Sequence, residues 1–272
     1  MFDSHMHSAH SGDSKMPVDT ICQIAIAKGL KGITITDHVN IMHYSKGEDY
    51  TRDILNSYAD VDAAKEKYKG LLEIRHGFEL GEYNIDPEIA QDFIDIPNTD
   101  QILCSLHSLE FLDYRCSLTT MFDSDDFKAE NLDALLDKYY DILIDIAKVA
   151  DVDVFAHLTY PARYCARYFG IYTIPERIYE HVFEILKIAI RRGIAIEVNT
   201  ASVGRDNNDF VPDERVLREY KNLGGKLVTI GSDAHKEDQI GHALNEAANL
   251  LKSLGFTHYY YYDKRKPVAV EI

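Results

Sequence analysis

One four-part unit repeats along this chain: an amphipathic helix, a Gly or Pro stop, a β-rich run, then a potential metal ligand. Residues 17–28 begin with Pro17 and place Ile21, Ile24, Ala25 and Lys28 at helical spacing. Gly29 stops that helix, and 31–36 reads as a strand running into Asp37-His38. Residues 51–69 repeat the plan with Ile54, Leu55, Tyr58 and Val61 on one face; Gly70 follows, and strand 71–78 runs into Glu79. A shorter helix over 87–96 stops at Pro97 and hands over to strand 101–106, then His107. The second half is more regular. Helix 131–150, with its stripe of Leu132, Leu135, Leu136, Tyr139 and Leu143, precedes strand 152–156 and His157. Helix 175–192, Gly193 and strand 194–198 lead to Asn199. Helix 212–223, Gly224-Gly225 and strand 226–230 lead to Gly231-Ser232-Asp233-Ala234-His235. A last helix, 241–254, ends at Gly255, and 256–262 reads as a closing strand with no ligand after it.

Strands alternating with helices predict parallel pairing through helical crossovers, hence an α/β fold. Roughly seven strand–helix units are what a TIM-like barrel requires. With 272 residues, 46% of them hydrophobic, the chain can bury one large core. No linker or break in composition divides it, so a single domain over 1–272 is expected. Segments 113–126 and 160–173 read as long loops on the side of the barrel that builds substrate sites.

Charge and cysteine usage narrow the function. The formal charge is −16, from 45 acidic and 29 basic residues. Such a surface repels nucleic acid and anionic membranes, and neither is expected as a partner. It also repels a phosphorylated metabolite, unless bound cations invert the field locally. Cys22, Cys104, Cys116 and Cys165 form no Cys-x-x-Cys pair, which argues against a thiolate zinc site and suits a reducing compartment. No signal peptide precedes the first strand, and no apolar run approaches ~20 residues. The cytoplasm is the expected location.

The strand ends carry the chemistry. His5 and His7 stand two apart in a short strand over 2–7, so both project to one side. With His38, Glu79, His107, His157, Asp233 and His235 they make eight ligand-type residues that a parallel barrel gathers on one rim. Imidazoles and carboxylates without thiolate suit Zn, Mn or Fe. His10 and His43 lie near ligand segments and are candidates for contacts behind the ligands. The other histidines fall in helices, loops or mid-strand. The run Tyr259-Tyr260-Tyr261-Tyr262 reads as a strand with alternately buried rings rather than as a binding platform.

The ordered set His5-x-His7, Thr36-Asp37-His38, Glu79, His107, His157 and Asp233-x-His235 resembles the polymerase and histidinol phosphatase (PHP) family. The resemblance spans nearly the whole chain. It implies a distorted seven-stranded TIM-like barrel, (β/α)7, holding two or three divalent metals at the C-terminal ends of its strands. By that resemblance His5, His7 and Asp233 bind one metal, which Glu79 bridges to a second on His107 and His157. His38 and His235 hold a third with Asp13, although Asp13 in Ser11-Gly12-Asp13-Ser14 is also a good turn residue or helix cap.

Such a cluster suits phosphate monoesters, which hydrolyse extremely slowly unaided. Metals ~3.5–4 Å apart share a hydroxide that is ionised near neutral pH and neutralise the phosphoryl oxygens during in-line attack. Glu79 and Asp233 are thus the expected catalytic carboxylates; Asp233, His235 and metal-bound water are the candidate proton donors to the leaving alkoxide. Arg163, after His157, and Arg205, after the sixth strand, resemble the two loop arginines of the histidinol-phosphatase branch. They are the expected grip on the phosphate, with Arg167, Arg115 and Lys236 as weaker alternatives. Asn199 is a further polar candidate, and Glu110 a possible contact to a cationic substrate. The expected activity is hydrolysis of L-histidinol phosphate, a small-molecule phosphate ester, in histidine biosynthesis. The alternatives are another phosphoesterase of the family, acting on nucleotides, nucleic acid or phosphotyrosine, or a non-catalytic metal-binding module. A nucleic-acid enzyme should show a basic groove with stacking aromatics, which this charge disfavours.

Overall fold

A computed structural model of the chain describes every residue except 46, 48, 50, 126, 172, 173, 206 and 207. The first half runs β1 (Phe2–Asp3), α1 (Val18–Ala27), β2 (Gly32–Asn40), α2 (Arg52–Lys67), β3 (Glu73–Gly81), α3 (Pro87–Ile94) and β4 (Gln101–Ser105). A hairpin follows, β5 (Ser108–Phe111) and β6 (Tyr114–Ser117), then α4 (Leu118–Phe122) and α5 (Leu132–Val149). The second half is β7 (Val154–Phe155), α6 (Pro161–Phe169), α7 (Glu176–Arg192), β8 (Ala195–Asn199), α8 (Glu214–Asn222), β9 (Val228–Gly231) and α9 (Leu244–Ser253). The chain ends in a second hairpin, β10 (His258–Asp263) and β11 (Lys266–Glu271).

Seven strands pair in parallel in the order β1-β2-β3-β4-β7-β8-β9. The sheet closes on itself through backbone bonds between its first and last strands. Ser4 N–H donates to Ile230 O at 2.9 Å, Asp233 N–H to His5 O at 2.8 Å, and His7 N–H to Ala234 O at 2.9 Å. The helices wrap the outside because each carries one apolar stripe. In α5 that stripe is Leu132, Leu135, Leu136, Tyr139, Tyr140 and Leu143, all buried. Gly193 ends α7 in the left-handed conformation (φ 72°), which costs glycine nothing and turns the chain into β8.

Three expectations are corrected. The strand over 256–262 does not close the barrel; β10 pairs antiparallel with β11 and lies across the N-terminal end of the strands. Tyr259 Oη accepts from Phe2 N–H at 2.8 Å, and Tyr262 Oη donates to Asp153 O at 3.0 Å. The deeply buried rings are therefore Tyr259 and Tyr262, which meet different barrel strands, and burial does not alternate along the run. The expected loop 113–126 holds β6 and α4, while 160–173 holds α6. Both form because Phe122 packs against Tyr164, Tyr168 and Phe169, giving the short helices a shared apolar contact. Finally, the first ladder covers only Phe2–Asp3, so His5 and His7 follow the strand. Their side chains still share one side, because Met6 bridges to Ala234 and is fully buried in the core.

Candidate metal centre

Six of the seven barrel strands carry a donor side chain at or just past their C-terminal ends, β8 being the exception, and Glu79 of β3 stands at the middle. It is fully buried, and its two carboxylate oxygens face different rings. Oε1 lies 2.8 Å from His157 Nε2 and 3.2 Å from His107 Nε2. Oε2 lies 3.0 Å from His38 Nδ1, 3.4 Å from His5 Nε2 and 3.5 Å from His7 Nε2. Asp233 Oδ1 faces the same pair, 3.6 Å from His5 Nε2 and 3.3 Å from His7 Nε2. Asp13 Oδ2 sits 3.2 Å from His38 Nε2 and 3.1 Å from His235 Nε2, forming a third group.

These spacings fit cations. Donors bonded tetrahedrally at ~2.0 Å stand about 3.3 Å apart, within the range seen here. Among the described residues Glu79 Oε2 has no hydrogen-bond partner, though buried and ringed by three imidazole nitrogens. A buried carboxylate oxygen in that state is costly unless a cation meets it.

The ring tautomers are set from behind. His5 Nδ1 donates to Glu197 Oε1 at 2.6 Å, leaving the Nε2 lone pair to the centre. His235 Nδ1 donates to Asp233 O at 2.9 Å. His7 Nδ1 is 2.9 Å from Ser11 Oγ, which donates to Asp37 Oδ1 at 2.9 Å and accepts from His38 N–H at 3.0 Å. A hydroxyl has one proton, so His7 must be the donor, which turns its Nε2 lone pair toward the centre, 3.0 Å from His5 Nε2. Asp37 also accepts from Ser8 N–H and Oγ and from Ser57 Oγ, which pins the Ser11 loop.

Electrostatics follow from this crowding. Burial opposes a proton on His5, but Glu197, Asp233 and Glu79 outweigh it and hold its pKa well above the usual imidazole range. Burial opposes charge on His38 too, yet Glu79 and Asp13 push it up to about 10. His7 goes the other way: burial and the neighbouring His235 and His38 rings hold its pKa well below normal. For Glu79 and Asp233 burial is overcome by the imidazoles, and both stay far below the ordinary carboxylate range. The mouth is a carboxylate field that calls for positive charge, whether proton or metal. Two donors also sit in left-handed backbone, His157 at φ 30° and Asp233 at φ 53°. For a non-glycine residue this costs about 1–3 kcal/mol, strain the surrounding bonds must hold.

A cavity of about 920 Å³ opens above the donors, with Asp13, His38, His107, Asp233 and His235 on its floor. Arg163 enters it from α6, its Nη2 3.9 Å from Asp233 Oδ2 and its guanidinium 5.0 Å over the Tyr160 ring. Tyr160 packs in turn on His107 and His157 at 5.1 and 4.9 Å. Arg115 and Cys116 of the β5–β6 hairpin form one wall, and Arg115 pairs with Glu110 at 3.1 Å. Arg205 is placed differently: it is exposed on the loop after β8 and is not among the residues lining the cavity. His43 lines the cavity, whereas His10 turns away to Asp60 at 2.8 Å. Arg167 stacks over Tyr164.

Glu197, Ser11 and Tyr160 belong to no motif that marks them as part of the site. Glu197 carried a signal that could have found it, a lone carboxylate inside the apolar run Ile194–Val198, where burial demands a partner.

A closed parallel barrel with an imidazole–carboxylate cluster at its C-terminal mouth defines a TIM-like barrel whose rim carries groups able to hold metal ions. The PHP domain family matches residues 3–201, and this chain belongs to that family. It is 29% identical over 258 residues to a probable histidinol-phosphatase of Clostridium acetobutylicum, covering 93% of each chain. It is 28% identical over 263 residues to the histidinol-phosphatase of Lactococcus lactis subsp. lactis, covering 93% of this chain and 91% of that one. Its fold is similar to the crystal structure of a Lactococcus lactis histidinol phosphate phosphatase complexed with zinc, L-histidinol and phosphate. The TM-score is 0.79, with 25% identity and 98% of each chain covered.

Proposed function

We infer that this chain is a metal-dependent phosphomonoesterase that hydrolyses L-histidinol phosphate to L-histidinol and phosphate, serving histidine biosynthesis. The observation that carries the reading is the divided carboxylate of Glu79, one oxygen facing His107 and His157 and the other facing His5, His7 and His38. The names of the curated relatives, and the zinc, L-histidinol and phosphate of the Lactococcus structure, support the substrate.

Two to three divalent ions, of zinc, manganese or iron, are proposed. His5, His7, Asp233 and Glu79 would hold the first, Glu79, His107 and His157 the second, and Asp13, His38 and His235 the third. Bound there, such ions supply a nucleophilic water at neutral pH and offset the charge of the phosphoryl oxygens. Arg163, held flat by Tyr160 at the edge of the donors, grips the phosphate through its fork of N–H groups. Arg205 is proposed as a second anion-binding group from the β8 loop. Asp233 and His235, which line the cavity, are proposed to return a proton to the leaving alkoxide. The negative surface suits a substrate whose other groups are an amine and an imidazole. One functional unit over 1–272 is proposed. The cytoplasm is its proposed setting, in keeping with four free cysteines and, among the described residues, no helix able to cross a membrane.

Arg163→Ala should raise KM for L-histidinol phosphate about 10–100-fold, the worth of a charge-assisted hydrogen-bond pair, while zinc content stays unchanged. Loss of zinc with unchanged KM would remove Arg163 from the phosphate site. The substrate is tested by steady-state rates on L-histidinol phosphate, a nucleoside monophosphate and phosphotyrosine. The first should lead by at least about tenfold in kcat/KM, or 1.4 kcal/mol; equal rates would reject the assignment.

A further inference from the structure

We propose that Glu197 is a positioning residue of the metal centre, fixing His5 as an Nε2 donor and tying together ligands from three strand ends. The proposal rests on the reading that the cluster holds divalent metal. Glu197 is fully buried within β8, so substrate cannot touch it, and it acts only through its neighbours. Its Oε1 accepts from His5 Nδ1 at 2.6 Å. Its Oε2 accepts from His157 N–H at 2.8 Å and from Asn199 Nδ2 at 3.1 Å. Asn199 Nδ2 also lies 3.3 Å from Asp233 Oδ2. One carboxylate thereby reaches His5 after β1, His157 after β7 and, through Asn199, Asp233 after β9.

The fold keeps room for this group. A Cβ at Gly231 would fall 2.3 Å from Glu197 Oε1 and 2.4 Å from His5 Cβ, so a side chain on β9 would displace both. The His157 bond also restrains a residue in left-handed backbone, where the ring direction is set by a strained main chain. His5 Nδ1, His157 N–H and Asn199 Nδ2 converge on both carboxylate oxygens, so each oxygen of Glu197 has to serve as an acceptor. A carboxylate behind a ligating imidazole fixes its tautomer and raises its basicity. Glutamine has the same shape but a single acceptor oxygen. Turned toward His5, it sets its NH2 against the donors of His157 and Asn199. Turned the other way, it sets NH2 against His5 Nδ1 and forces the proton onto Nε2, the atom needed by the metal.

The test is zinc affinity by chelator competition on the full chain, with Glu197→Gln, the unaltered protein and Asp153→Asn compared. Asp153 is a buried carboxylate at the other end of the barrel, bonded to Ile102 N–H and Arg265, and its loss perturbs the fold away from the cluster. Glu197→Gln should lose about 10–100-fold in affinity. Asp153→Asn should lower the melting temperature with affinity unchanged. An unchanged affinity in Glu197→Gln, or an equal loss in both variants, would overturn the proposal. Nitrogen-15 NMR of histidine-labelled unaltered protein reads the same point without a variant: His5 should carry its proton on Nδ1, and a proton on Nε2 in the zinc-loaded chain would overturn it. Failure of the unaltered chain to bind zinc would remove both this proposal and the metal reading beneath it, whereas zinc binding without phosphatase activity would remove only the function.

Discussion

Glu79→Gln is expected to lower kcat/KM by at least about a thousandfold, roughly 4 kcal/mol of transition-state stabilisation, with the fold retained. The side chain keeps its volume, so packing beneath the mouth is undisturbed. What is lost is the charge that faces five imidazoles at 2.8–3.5 Å, and with it the shared ligand between two donor groups. Zinc content should fall by at least one equivalent in the same preparation. Circular dichroism matching the unaltered protein, with activity within tenfold of it, would mean that Glu79 does not bridge metals.

The second large effect is in pH. In the metal-free centre His38 is pushed up to about 10 and His5 and His235 are also raised, so near neutrality the cluster holds protons that metal must displace. Zinc affinity should therefore rise at least about tenfold per pH unit between pH 6 and 8, with at least one proton released per metal bound. The stability of the metal-free fold runs oppositely. Groups with raised folded pKa values stabilise it fully below the unfolded imidazole value of ~6.5 and lose that contribution as pH rises through their folded values, about 10 for His38. Glu79 and Asp233, held low, stabilise it above ~4 and lose this as pH falls further. His7 and His157, held below the usual imidazole value, lose stability as pH falls below ~6.5, so the metal-free chain should melt highest at about pH 6.5, and zinc should raise the melting temperature most at pH 8. Chelator competition and thermal melts at pH 6, 7 and 8 check both. A zinc affinity independent of pH would contradict the charge state described.

How much of this was legible in the sequence depends on what each residue's position is set by. Metal-type donors at strand ends could be read because a parallel barrel has one C-terminal rim, and His107 or His157 must go there wherever its helix lies. The spacing of His5 and His7 shows that they share a side but overstates the strand, since the closing bonds come from β9 rather than from a continuous ladder. Contacts between distant loops could not be read. The α4 and α6 helices exist because Phe122 meets Tyr164 and Phe169, an encounter that local pattern does not encode. The place of the C-terminal hairpin is hidden for a similar reason, because an apolar, tyrosine-rich strand suits the side of a barrel and its end equally well. Arg163 and Arg205 looked equivalent as loop arginines, yet only Arg163 lines the cavity, because α6 turns its first helical turn toward His157. Glu197 is masked by its apolar run, although its burial there is what makes it informative.

The most direct measurement of the central claim is L-histidinol phosphate hydrolysis by one preparation before metal removal, after chelation, and after titration with zinc. We expect activity to vanish on chelation and to return in step with bound zinc, reaching its plateau at two to three equivalents per chain. Undiminished hydrolysis by the stripped protein, or a zinc-saturated protein inert toward L-histidinol phosphate, would contradict the account.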